Sequence, residues 1–227
     1  MKSVDIPVLG EAVGGAKRAA ALQVLATLER CYPAAHCALD HRNPLELLIA
    51  TVLSAQCTDL RVNLVTPALF AAYPDVAALA AADLATLEGL IHSTGFFRAK
   101  ARNLRALAQV LQAEHGGEVP RELEALVALP GVGRKTANVV LGNAFGIAAM
   151  VVDTHVGRLA RRFGWTCAKD PRGVEKDLSA LLPKRCWTQT SHLLIFHGRQ
   201  CCKSQRPLCS GCPIGGLCPR IGVTRSR

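Results

Sequence analysis

Between Asn43 and Cys57 the chain reads "NPLELLIATVLSAQC", and its apolar residues run nearly all the way round a helix. Such a helix is stable only when other elements enclose it. Asn43 is placed to cap it, Pro44 suits its first turn, and Glu46 stands where a capping partner belongs. Helical periodicity then recurs over 16–31, 59–72, 83–92, 97–115, 121–128, 134–145, 154–164, 172–182 and 184–198. Pro33, Gly95, Gly116-Gly117, Pro120 and Pro130 mark several breaks. No strand pattern persists; the apolar run "AAMVV" at 148–152 is solitary. Hydrophobic residues make up 50% of the chain and aromatics only 4%. Ala and Leu supply most of that apolar content, which favours packed helices. The expected class is all-α.

Charge points to the partner. Lys and Arg number 27 against 17 Asp and Glu, a formal net charge of +10. A basic surplus of that size suits an anionic partner, nucleic acid before others. Arg158, Arg161 and Arg162 recur at helical spacing, as do Lys100, Arg102 and Arg105; either set forms a basic face for DNA or a merely solvated one. The opening "MKSVDIPVLGEAVGG" resembles no signal peptide and no span, so a cytoplasmic location, with the nucleoid, is expected. Thiols stay reduced there, and ten cysteines need an explanation other than disulfides.

The stretch "LPGVGRKTANVV", Leu129–Val140, is the first chemical motif. A Walker A loop needs glycine before the lysine, where Arg134 stands; a dinucleotide fingerprint needs a third glycine, where Thr136 stands, and a preceding strand. Helix, "PGVG" turn and helix instead make a helix-hairpin-helix. Main-chain N–H groups of Gly131, Val132, Gly133 and Arg134 in such a turn can face a DNA phosphate without reading bases.

The second motif is the tail. Cys202, Cys209, Cys212 and Cys218 are spaced C-x6-C-x2-C-x5-C, four thiols within seventeen residues. That density makes a metal site, and ligand type alone allows tetrahedral zinc or an iron–sulfur cluster. Cys201 is an extra neighbour; Cys31, Cys37, Cys57, Cys167 and Cys186 read as buried small hydrophobes. Ordering the loop "KSQRPL" would bring Lys203 and Arg206 within reach of DNA phosphates.

Through these motifs, together with "VDTHVGRLARR" and "NPLELLIATVLSAQCTD", the sequence resembles the endonuclease III group of helix-hairpin-helix DNA glycosylases over roughly residues 20–218. The resemblance implies a helix-hairpin-helix DNA glycosylase fold. A six-helix domain would span 37–147, and 1–36 would join 148–227 in a cluster domain. It implies a [4Fe–4S] cluster on the four tail cysteines, Lys135 as nucleophile with Asp153 assisting, and a groove between the domains that holds both. It also matches Gln56 and Phe96 to positions that fill or wedge the gap left by a flipped base, with a core role equally open for Phe96 or Phe97. His155 borders the lesion pocket or is a structural hydrogen-bonding histidine.

Elementary chemistry agrees with the lysine. A side chain of pKa about 10.4 is neutral in only ~0.04% of molecules at pH 7. A helix amino end and the neighbouring Arg134 both disfavour the ammonium of Lys135. A helix over 134–145 carries the chain ~18 Å away, and seven extended residues return at most ~25 Å, enough to bring Asp153 back. Asp153 also reads as the cap of the next helix, a compatible role. The expected activity is a bifunctional glycosylase and abasic-site lyase, acting as a monomer on double-stranded DNA with a damaged base, oxidised pyrimidines above all, or an abasic site. Two other readings differ in kind: a monofunctional MutY-like adenine glycosylase, a group that generally lacks this lysine, and a non-catalytic hairpin DNA-binding module.

Overall fold

The computed structural model describes residues 9–227, with side chains from residue 15 onward. The first residues of the opening stretch, read as no signal peptide, lie outside them. The described residues contain helices and loops and no strand. In chain order the α-helices are α1 (Leu9–Cys31), α2 (Pro44–Leu53), α3 (Asp59–Ala72), α4 (Val76–Ala80), α5 (Leu84–Ile91), α6 (Phe97–Glu114), α7 (Leu123–Ala128), α8 (Arg134–Ala144), α9 (Thr154–Arg162), α10 (Pro171–Leu181) and α11 (Trp187–Gln200). Short 3-10 turns cover His92–Thr94 and Lys184–Cys186. None of the described helices is long and apolar enough to cross a membrane.

The chain divides into two compact units, one of residues 37–149 and one of residues 1–36 with 150–227. In the first, α2 is buried from Glu46 to Leu53 and packs against α3, α6 and α8. Leu47, Leu48, Ile49 and Leu53 meet Leu69, Leu104, Leu107, Leu111, Ala137 and Val140 in one core. Each fully buried aliphatic side chain contributes about 1.5–3 kcal/mol, which is what holds so short a helix. Asn43 caps α2, its Oδ1 accepting from the Glu46 N–H at 2.9 Å. Glu46 does not close a reciprocal box. Its carboxylate reaches one residue further back, accepting from the Arg42 N–H at 2.7 Å and from the Arg42 guanidinium at 2.6 Å.

In the second unit α9 packs on α11 and α10, and α1 on α11 and α10. Leu28, Val156, Leu159, Leu178, Leu193 and Leu194 form its core, edged by Phe163 and Trp165 at 5.0 Å between ring centres. Met150 and Val152 of the apolar "AAMVV" run are buried in it. The free-cysteine reading needs correction. Cys31 and Cys167 are exposed and Cys37, Cys57 and Cys186 only partly buried. Cys31 ends α1 and Cys167 lies in the loop before α10, where the chain leaves the core.

Candidate active site and thiol cluster

The hairpin forms as its sequence requires. After α7 the Val132 N–H returns to the Leu129 carbonyl at 3.1 Å, and Gly131 takes φ +77°. A Cβ on Gly131 would stand 2.9 Å from Asn103 Nδ2, so both the turn and the close approach demand glycine there. Val132 is buried in the core and its N–H is taken up by the Leu129 carbonyl, so the expectation that this N–H faces a phosphate needs correction: it closes the turn instead. Gly133 caps α8 with φ −90°, an ordinary conformation, and a Cβ there would touch nothing within 4 Å. No side chain caps the amino end of α8. Arg134 and Lys135 are its first two residues, both exposed. The Lys135 amine is thus presented at the positive end of a helix, immediately after the turn.

Asp153 caps α9, its Oδ1 accepting from the Val156 N–H at 2.8 Å. The carboxylate is half-buried, fixed on one oxygen, and has acceptor capacity left on the other. His155 Nδ1 lies 3.1 Å from Arg158 Nη2 and is packed against Gly198, where a Cβ would come within 2.8 Å of that ring nitrogen.

Gln56 and Phe96 share an unusual backbone. Both are non-glycine residues with positive φ, +54° and +49°, and both are exposed, Phe96 to 66%. Phe97, by contrast, is half-buried, packed against the core and tilted against His92 with ring centres 4.4 Å apart. An exposed aromatic held in the left-handed region is an outlier that core packing does not explain.

The tail cysteines gather around one small cavity, lined by Cys201, Cys202, Cys209, Cys212 and Cys218 together with His197 and Arg162. Sulfur or nitrogen atoms of His197, Cys201 and Cys212 lie within 4.8 Å of one another. Arg162 Nη1 donates to the Cys202 Sγ at 3.2 Å. Burial raises the Cys202 thiol, and the Arg162 guanidinium opposes that shift. His197 is fully buried between Tyr32, whose hydroxyl lies 2.9 Å from Nδ1, and Cys212, whose sulfur lies 3.6 Å from Nε2. Convergent soft donors beside a cation suit thiolate ligation, so the residues fit a metal cluster.

Two arginines of the expected basic face are committed here. Arg162 also donates to the carbonyls of Lys203 at 2.7 Å and Ser204 at 2.9 Å, and Arg158 to those of Gly198 and Cys202 at 3.0 Å. They bind the loop on which Lys203 and Arg206 stand exposed, Arg206 with φ +48°. Periodicity shows which face a residue occupies, but not that the chain folds a loop across that face. Lys100 departs further: it is buried at 5% exposure and belongs to no basic surface.

A hairpin presenting an exposed lysine, in a chain that also carries a thiol-lined cavity fit for a metal cluster, defines the class: a helix-hairpin-helix DNA-repair scaffold. Residues 49–184 match the family model described as HhH-GPD superfamily base excision DNA repair protein. The chain is 52% identical to endonuclease III of Synechocystis, over 89% of this chain and 93% of that one. It is 39% identical to endonuclease III of Escherichia coli K12, over 88% and 95%. A solved structure of a trapped endonuclease III–DNA covalent intermediate superposes with TM-score 0.84 and 48% identity, covering 89% of this chain and 96% of that one. The chain belongs to the HhH-GPD superfamily and, within it, to the endonuclease III family.

Proposed function

We propose that this chain is a bifunctional DNA N-glycosylase and abasic-site lyase of base excision repair. Its substrate is double-stranded DNA with a damaged base, an oxidised pyrimidine above all, or an abasic site. Endonuclease III relatives at 39–52% identity over most of both chains support the activity, as does a relative caught in covalent linkage to DNA. The observation that carries the reading is Lys135: an exposed amine on the first turn of α8, directly after the hairpin.

The Lys135 amine attacks the anomeric carbon of the damaged nucleotide as the base leaves with the glycosidic electron pair. A carboxylate stabilises the positive charge that develops on the sugar, and Asp153, fixed by its cap hydrogen bond, supplies it. The amine-linked sugar opens to an iminium, which acidifies the neighbouring C2′ proton. Loss of that proton expels the 3′ phosphate by β-elimination, and water then frees the lysine. Gln56 and Phe96 fill the gap left by the extruded nucleotide. Main-chain N–H groups of Gly131, Gly133 and Arg134 hold a backbone phosphate, Lys203 and Arg206 add phosphate contacts, and His155 borders the lesion pocket. Cys202, Cys209, Cys212 and Cys218 would hold a [4Fe–4S] cluster, and their ligation would fix the loop from Lys203 to Leu208.

Duplexes carrying an oxidised pyrimidine, an abasic site or a mispaired adenine separate the alternatives. The expected result is excision of the pyrimidine with cleavage 3′ to the lesion. Adenine release without strand cleavage, or binding without release of any base, would contradict it.

A further inference from the structure

Lys100 is the buried charge that the mechanism does not use. Its Nζ donates to the Leu53 carbonyl and to the Thr94 carbonyl, both at 2.8 Å. Leu53 is the last residue of α2 and Thr94 the last of the short 3-10 turn, so both acceptors are carbonyls left over at helix ends. The negative end of α2 welcomes a cation. Lys100 itself lies in the first turn of α6, where the helix field opposes a positive charge, and its backbone N–H closes on the Phe96 carbonyl at 3.0 Å. Burial pushes its ammonium below the ordinary lysine value. A cation against its own helix field and out of water is costly, and holding α6 together does not require it.

Each of the two carbonyls sits at the stem of a loop. Leu53 stands three residues before Gln56, and Thr94 two residues before Phe96. These are the two exposed side chains on left-handed backbone in this unit. A non-glycine residue keeps that conformation only where its surroundings over-determine it. Between Thr94 and Phe96 stands Gly95, with φ +70° and ψ 155°, a region open essentially to glycine, so the chain there has little stiffness of its own. One ammonium tied to both loop stems supplies the missing constraint.

We propose that Lys100 is a positioning residue that joins the Gln56 and Phe96 loops into one rigid pair, so that both side chains enter the helix together when a nucleotide is extruded. This rests on the gap-filling role proposed for Gln56 and Phe96. Lys100 touches neither DNA nor the reacting atoms.

The test is single-turnover excision of an oxidised pyrimidine from a duplex by the cluster-loaded protein. Lys100→Met, close in volume but without donors, should slow excision by roughly ten- to a hundredfold, the scale set by small misplacements of positioning groups. Lys100→Gln, which keeps a donor and guards against loss of the fold, should lie between. In a Gln56→Ala/Phe96→Ala background the same Lys100 substitutions should change the rate by less than about twofold, because the groups they position are gone. Amide exchange should quicken at 54–57 and 94–97 and stay unchanged in α8. Wild-type excision by both Lys100 variants overturns the proposal, and so does a loss of equal size in the double-alanine background, which marks general destabilisation. A double-alanine variant as fast as wild type instead removes the gap-filling role itself.

Discussion

Phe96 carries a cost that its exposure makes visible. An L-residue in the left-handed region sacrifices about 1–2 kcal/mol, and a side chain 66% exposed recovers little of that by burial. Phe96→Gly should therefore leave the fold equally stable or stabilise it by about 1 kcal/mol in urea denaturation, while excision of a damaged base falls. A loss of stability would show that the ring belongs to the core after all. Motif resemblance alone marked Phe96 and left Phe97 as a rival; Phe97 is half-buried against the core, whereas Phe96 is exposed, which supports the choice of Phe96. The same scale shows what a sequence withholds. Lys100 and Arg162 read as surface cations because charge and periodicity say nothing of the carbonyls and the thiol sulfur to which each donates.

The two glycines of the hairpin separate folding from contact at the scale of the element. Gly131→Ala forces a side chain onto φ +77° and against Asn103, and should cost about 1–3 kcal/mol of stability by denaturation. Gly133 has ordinary dihedrals and open space, so Gly133→Ala should keep stability within about 0.5 kcal/mol. It should nevertheless weaken DNA binding, because the added methyl would stand where the proposed phosphate contact falls at the α8 amino end. Equal effects on folding would refute that division. Most helices were legible from periodicity and punctuation: α3, α6 and α8 begin where read and end within a residue of the expected position. The misses have local causes. α1 begins at Leu9 rather than 16, running through the Gly14-Gly15 pair. α2 stops at Leu53, where Lys100 takes its last carbonyl, instead of continuing to Cys57. α4 is five residues held by the Asp75 cap at 2.8 Å, too short for a period to declare itself.

For the molecule as a whole, two chemistries lie in separate stretches of one chain, the hairpin lysine and the thiol site. Spacing marked the four tail cysteines, but not that Cys201 lines the same cavity or that His197 joins it from α11. The proposed ligand set makes a sharp prediction. Cys212→Ala should lose iron, sulfide and the absorbance near ~400 nm expected of a [4Fe–4S] centre, together with order in the 203–208 loop, while Cys201→Ala keeps all three. Retention of iron by Cys212→Ala, or its loss from Cys201→Ala, would reassign the ligands. The enzymatic account depends on a bond between protein and sugar, and reductive trapping measures that bond. Incubated with abasic-site duplex and borohydride, the wild-type protein should form a denaturation-resistant protein–DNA adduct whose linked residue is Lys135, and Lys135→Ala should form none. An adduct that survives the substitution, or no adduct from the wild-type protein, would contradict the account.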